Sequence, residues 1–167
     1  ILARRGRLEA ERDDAEQIRF PEELVASAES NRDHADLIEG QRRLFLARKE
    51  TLQKSLEQLA KRREQTLAQI SGTDAQIAAL SRQSELIARE LTDQRDLFAR
   101  GLAQVSRVLS LEREAARLEG QAGELHGARA QAEGRVTEID LERLRLTSQR
   151  REDAETELRE IGYRAVE

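Results

Sequence analysis

The sequence predicts an all-α fold, a long antiparallel two-helix coiled-coil hairpin with a short additional N-terminal helical segment packed near its base. Three observations lead there. The 167 residues are 37% charged and only 2% aromatic, with no cysteine and no tryptophan, so they lack the large apolar side chains that fill a globular core. Leucine, alanine, glutamate, arginine and glutamine recur with a helical period, the profile of a coiled coil or long helix. Two apolar ladders of period seven also mirror each other across an uncharged stretch that carries Gly101.

Residues 1–30 form the first expected unit. "ILARRGRLEAERDDAEQ" reads as a short helix. "IRFPEELVASAES" places Pro21 at a first helical turn, where its missing amide is harmless and Glu22 and Glu23 suit the helix dipole. The second unit, residues 31–167, is the hairpin: a helix over 31–100, a tip over 101–106 and a return helix over 107–163. Ser30 or Asn31 is expected to cap the first of these, with Asp33 in its opening turn.

The heptad frame starts at Ile38 and steps by seven through Phe45, Leu52, Leu59, Thr66, Thr73, Leu80, Ile87 and Gln94. A second line, offset by four, runs through Leu56, Ile70, Ile77, Ser84, Leu91 and Phe98, with Arg42, Lys49 and Arg63 as charged interruptions. Alternate spacings of three and four make one seam along a helix. Gly72 lies off that seam and costs about 1 kcal/mol of helix propensity without ending the helix.

The return ladder is Leu111, Leu118, Leu125, Ala132, Ile139 and Leu146, with Val108, Ala115, Ala122 and Val136 between them. Folded back antiparallel, Phe98 is expected to face Leu111, Leu91 to face Leu118, Ile87 to face Ala122, Ile77 to face Ala132 and Ile70 to face Ile139. That mirror puts the fold point between residues 104 and 105. Gly101 can adopt the left-handed conformation that closes a helix, and Ser106 or a neighbour can accept from the orphan amides of the next. A helix of about 65 residues at ~1.5 Å rise spans roughly 100 Å. Beyond Leu146 the frame slips to Ala154, Leu158 and Ile161, consistent with a local change of partner or supercoil.

Little in the chain points to catalysis. His34 and His126 stand apart and read as surface histidines, with no metal and no cofactor expected. No phosphate loop, nucleophile elbow or HExxH motif occurs, and carboxylates on a two-helix surface lack the desolvation that acid–base work needs. The segment is therefore expected not to be an enzyme. The basic clusters "QRRLF", "KRRE" and "TSQRRED" are broken by acids, aromatic residues for stacking are nearly absent, and net charge is −4. They read as salt-bridged solvated faces, with no nucleic acid as partner. No apolar run approaches the ~20 residues of a membrane span. The chain opens at Ile1 rather than at a methionine, and is expected to be a segment of a longer protein.

Apolar residues concentrate where the two helices end: Leu97, Phe98, Leu102, Val105, Val108 and Leu109. Closing the loop is expected to bury Phe98, Val108 and Leu109, leaving Leu102 and Val105 as a small contact patch. "RDLFARGLAQVSRVLSLERE" resembles the hairpin tip of the periplasmic adaptor, or membrane fusion, proteins. The motif of that family is an arginine, a leucine four residues on and a serine or threonine seven later. Arg95 and Ser106 stand at that separation, with Ala99 in the leucine position. "RLEAERDDAEQIRFPEEL", "GQRRLFLARKETL" and "SRVLSLEREAARLEG" extend the likeness to the haemolysin-D-type adaptors of type I secretion systems over most of the chain.

The resemblance implies a hairpin whose tip docks onto a TolC-type outer-membrane channel and couples it to an inner-membrane ABC transporter. It also implies self-association, as a hexamer in the full-length protein, a periplasmic location with an inner-membrane anchor, and a lipoyl-like domain and a β-barrel in the flanks. Arg95 is then a charge-assisted donor to the channel, Leu102 an apolar contact and Ser106 a hydroxyl at a helix start, with Val105 and Ala99 beside them. A structural coiled-coil arm of a chromosome-organising or other ATPase is the alternative reading of the same helical pattern.

Overall fold

A computed structural model describes residues 1–164, which hold four helices: α1 (Leu2–Arg12), α2 (Glu22–Ser30), α3 (Arg32–Ala99) and α4 (Val105–Arg164). Among the described residues there is no strand. The chain divides into two compact units, one of residues 1–61 with the segment from Asp140 onward, the other of Arg62–Ile139. α3 and α4 contribute to both. Gly72 leaves α3 unbroken.

In the first unit α1 is the most deeply buried element, with Ala3, Gly6, Arg7, Leu8, Ala10 and Glu11 all buried. Leu8 is fully buried and packs with Ala154, Ile161 and Leu158 of α4. These last three are the residues of the slipped frame. The half-buried or buried positions Glu142, Leu146, Arg150 and Ala154 follow one another at spacing four, an inserted stutter that unwinds the supercoil locally. The stutter turns a new face of α4 toward α1.

Charged side chains make the rest of that contact. Arg7 donates through Nη1 to Glu11 Oε1 at 2.6 Å, through Nε to Gln41 Oε1 at 2.8 Å and through Nη2 to Glu157 Oε2 at 3.5 Å. Arg4 donates to Glu157 at 2.6 Å, and Arg48 of α3 to Glu11 at 3.2 Å. A buried arginine and glutamate are tolerated only when paired on most of their polar edges, as here.

α1 ends where Asp14 takes φ 50 and the Ala15 amide donates to Ala10 at 2.9 Å. The chain then doubles back against α1. A Cβ at Gly6 would stand 3.0 Å from the Arg19 carbonyl and 3.2 Å from the Phe20 ring, so residue 6 carries no side chain because the returning segment lies on it. Phe20 in turn sits under the Arg42 guanidinium, 5.6 Å from the ring centroid. Pro21 occupies the N-cap of α2 rather than its first turn, with Glu22 and Glu23 just inside. Of the two candidate caps for α3, Asn31 does the work, its Oδ1 accepting from the Asp33 amide at 2.9 Å. His34, expected to be solvated, is half-buried, its Nδ1 2.6 Å from Ser27 Oγ.

In the second unit the non-exposed positions of α3 step through Arg63, Thr66, Ile70, Thr73, Ile77, Leu80, Ser84, Ile87, Leu91 and Gln94. Those of α4 step through Val108, Leu111, Ala115, Leu118, Ala122, Leu125, Arg129, Ala132, Val136 and Ile139. Val108, Leu111, Leu118 and Ala132 are buried, while the others are half-buried. Two helices alone cannot close over their own seam. Leu146, in the first unit, is half-buried as well.

The pairing differs from the expected mirror by one heptad. α3 ends at Ala99 and α4 begins at Val105, so the bend centres on residue 102 and not between 104 and 105. Arg95 pairs with Glu112, Arg107 with Glu90 and Arg129 with Asp74 across the helices. The first two lie on opposite flanks of the seam, and together they put Leu91 opposite Leu111, Ser84 opposite Leu118, Ile77 opposite Leu125 and Ile70 opposite Ala132. A surface cleft lined by Leu80, Gln83, Gln121 and Glu124 and another lined by Thr66, Gln69, Arg135 and Glu138 agree with this register. A strict seven-residue repeat fits both alignments equally well; the shorter turn decides between them.

Three outcomes test this account. Cysteines at Ile77 and Leu125 should cross-link on oxidation, whereas the pair at Ile77 and Ala132 should not, because the latter are displaced along the axis by about one heptad, roughly 10 Å. Leu8→Ala should lower the unfolding free energy of the first unit by about 2–4 kcal/mol in denaturant titrations, since it empties a fully buried site shared by two helices. The third concerns pH. A hydrogen bond from Arg4, with the charges of Arg4, Arg7 and Arg48, holds the Glu157 carboxyl below its ordinary 4.5 against the opposing effect of burial. Its stabilisation is thus fully present above 4.5 and fades as pH falls through the lowered value. As pH is lowered from above 4.5 through that lowered value, the protein should lose stability that Glu157→Gln does not lose, read from the unfolding midpoints of the two proteins.

Candidate partner-binding tip

The turn between α3 and α4 is built from the way α3 stops. Gly101 takes φ +76, and its amide donates to the Phe98 carbonyl at 2.9 Å while the Leu102 amide donates to the Leu97 carbonyl at 2.9 Å. This is the paired closure in which a left-handed glycine satisfies the last carbonyls of a helix. A side chain at residue 101 would be strained by that φ alone.

The closure changes which side chains face inward. Leu97 is half-buried, whereas Phe98, expected in the seam, is 46% exposed. The shorter turn brings Gln94 opposite Val108, and the inward position after it falls on Leu97. Leu109, also expected to be covered, is 46% exposed, and only Val108 of the three residues assigned to loop closure is buried. Leu102 and Val105 are 72% and 51% exposed. The apolar surface at the tip is therefore about twice as rich in side chains as the sequence led one to expect.

α4 begins two residues before the expected start, which places Val105 and Ser106 inside the helix rather than in the turn. Ser106 does not cap it: its hydroxyl donates to Gln104 Oε1 at 3.4 Å. Ala99 is the exposed last residue of α3. Arg95 lies one turn before it, and its Nη2 donates to Glu112 Oε1 at 2.6 Å. Arg95, Ala99, Leu102, Val105 and Ser106 are thus all exposed within one end of the hairpin unit. Sequence reasoning missed Glu112, the partner of Arg95, although it directly follows the seam residue Leu111, the flank from which ion pairs cross an antiparallel seam.

The comparisons with known proteins decide the family. The family described as AprE, long alpha-helical hairpin, matches residues 1–166. The chain belongs to this family. It is 39% identical over all 167 residues to the type I secretion system membrane fusion protein PrsE of Rhizobium meliloti (strain 1021), and spans 38% of the length of that relative. The crystal structure of the soluble domain of LipC, a membrane fusion protein of a type I secretion system, superposes with a TM-score of 0.90 over 95% of this chain and 74% of that one, at 23% identity. The AprE-type hairpin shares that fold, with the closed glycine turn between its long helices. No helix among the described residues is long and apolar enough to cross a membrane.

Proposed function

We propose that the chain is the helical hairpin of a periplasmic adaptor in a type I protein secretion system, with the tip docking onto a TolC-type outer-membrane channel. An inner-membrane ABC transporter is the second partner, reached through parts of the protein outside the chain. The adaptor works as a self-associated ring, a hexamer, held in the periplasm by an inner-membrane anchor. It acts by contact rather than by catalysis, and needs neither cofactor nor nucleic acid.

The observation that carries this reading is the exposed apolar end of a rigidly closed turn. Leu102, at 72% exposure, stands on the residue next to the left-handed Gly101, so its position is set by backbone hydrogen bonds and not by packing of its own side chain. A closed turn that presents an uncovered leucine is preorganised for a partner. Membership in a hairpin family, with a relative that is a type I secretion system membrane fusion protein, supports this choice of partner class. Ala99, Val105 and Ser106 flank Leu102 and complete the docking surface, with Arg95 at its edge.

One such contact is worth only ~1 kcal/mol or so, and repetition around a ring multiplies it. The expectation is specific. Full-length protein carrying Leu102→Asp should lose export of the secreted cargo while helix content by circular dichroism and assembly with the inner-membrane partner stay as in the parent. Export at the parental level would remove the tip from the mechanism.

A further inference from the structure

Four apolar side chains, Phe98, Leu102, Val105 and Leu109, are exposed within twelve residues of sequence at the tip. Val105 and Leu109 lie one turn apart on the same face of α4, and Phe98 and Leu102 belong to the last turn of α3 and its closure. The charges around them have an unusual disposition. Every charged residue from 95 to 107 is already paired inside the tip: Arg95 with Glu112, Asp96 with Arg100, and Arg107 with Glu90. These three pairs cancel in charge, so no ion between residues 95 and 107 is left without a partner.

We infer that the tip recognises an uncharged, apolar groove on its partner, through Phe98 and Leu109 as well as Leu102 and Val105, and that Arg95 is a positioning residue bound to Glu112 rather than a donor to the partner. The inference rests on the docking reading above and fixes the chemistry of that partner surface. An acidic groove on the partner would have to take Arg95 from a carboxylate 2.6 Å away, exchanging one ion pair for another with little net gain. An apolar groove faces no such competition. It removes water from four side chains that the hairpin itself cannot cover. Arg95 and Glu112 meanwhile bridge α3 and α4 four residues before the end of α3, beside the exposed side chains that the pair helps to position.

The test measures binding of the full-length protein to the purified outer-membrane channel of its own secretion system. Arg95→Glu should weaken binding about tenfold, and adding Glu112→Arg should return it to within about twofold of the parent, as a charge swap does when two residues act on each other. Phe98→Ser and Leu109→Ser, both at exposed positions, should each weaken binding about fivefold or more. Raising salt from roughly 0.05 to 0.5 M should change parental binding by less than about threefold. A swapped variant as weak as Arg95→Glu alone, or a loss of tenfold or more with salt, overturns the inference and points to a charged partner surface. If Leu102→Asp still abolishes binding in that case, the docking reading stands without it. Failure of the parent protein to bind the channel removes both.

Discussion

The hydrogen bonds that Gly101 and Leu102 donate back to Phe98 and Leu97 govern the hairpin unit. They stop α3 at Ala99 and start α4 at Val105, and that spacing selects one of the registers a seven-residue repeat permits. Each seam residue of α3 then meets a determined partner on α4, and the ion pairs Arg95–Glu112, Glu90–Arg107 and Asp74–Arg129 fall on the flanks. The same closure rotates Phe98 outward and exposes Leu102. Register and the exposed apolar tip thus have a common origin in one left-handed residue, and altering it would move both together.

The two units reach stability by different means. The hairpin unit has a seam that two helices share, so burial is partial and spread over many layers, with flanking charges left in solvent where each pair contributes little. The three-helix unit concentrates its burial on α1. Leu8 supplies the apolar part against Ala154, Leu158 and Ile161. Arg7 and Glu11, each about 3% exposed as side chains, supply a polar part that fixes where α1 lies, because beyond the bond between the two they pair with Gln41 and Arg48 on α3 and Glu157 on α4. An apolar stripe alone would tolerate a slide of one turn along the α3–α4 surface. The Arg7 fork, reaching Gln41 on one side and Glu157 on the other, would not.

Much of this was legible in the residues. The heptad lines located the helices and nearly every inward position, because period is a local property that sequence records directly. The slip beyond Leu146 marked where α4 changes partner, since Ala154, Leu158 and Ile161 cannot serve the earlier seam. Register was not legible, because a repeat of seven is blind to displacement by seven and the turn that breaks the tie is a matter of backbone hydrogen bonds. The outward turn of Phe98 followed from the same ambiguity. The burial of Arg7 and Glu11 was hidden for another reason: arginine and glutamate four apart on a helix look like a solvated pair, and only the third and fourth partners from α3 and α4 take them out of water. Gly6 was the available clue, a glycine inside a short helix where a returning strand of chain leaves no room for a Cβ.

At the tip, preorganisation and weakness are compatible. A docking surface on a mobile loop would spend part of its interaction energy on ordering itself, and here the backbone closure has done that ordering before any partner arrives. The proposed docking surface is nevertheless small, four apolar side chains with every charge from 95 to 107 paired, so on that reading a single hairpin binds feebly and lets go easily. In the proposed ring, firm attachment then comes from many tips engaging at once, where the effective concentration of each is raised by its neighbours. A surface of this kind makes the proposed joint depend on assembly of the proposed ring. On that reading it engages when the hairpins are gathered and releases when they part.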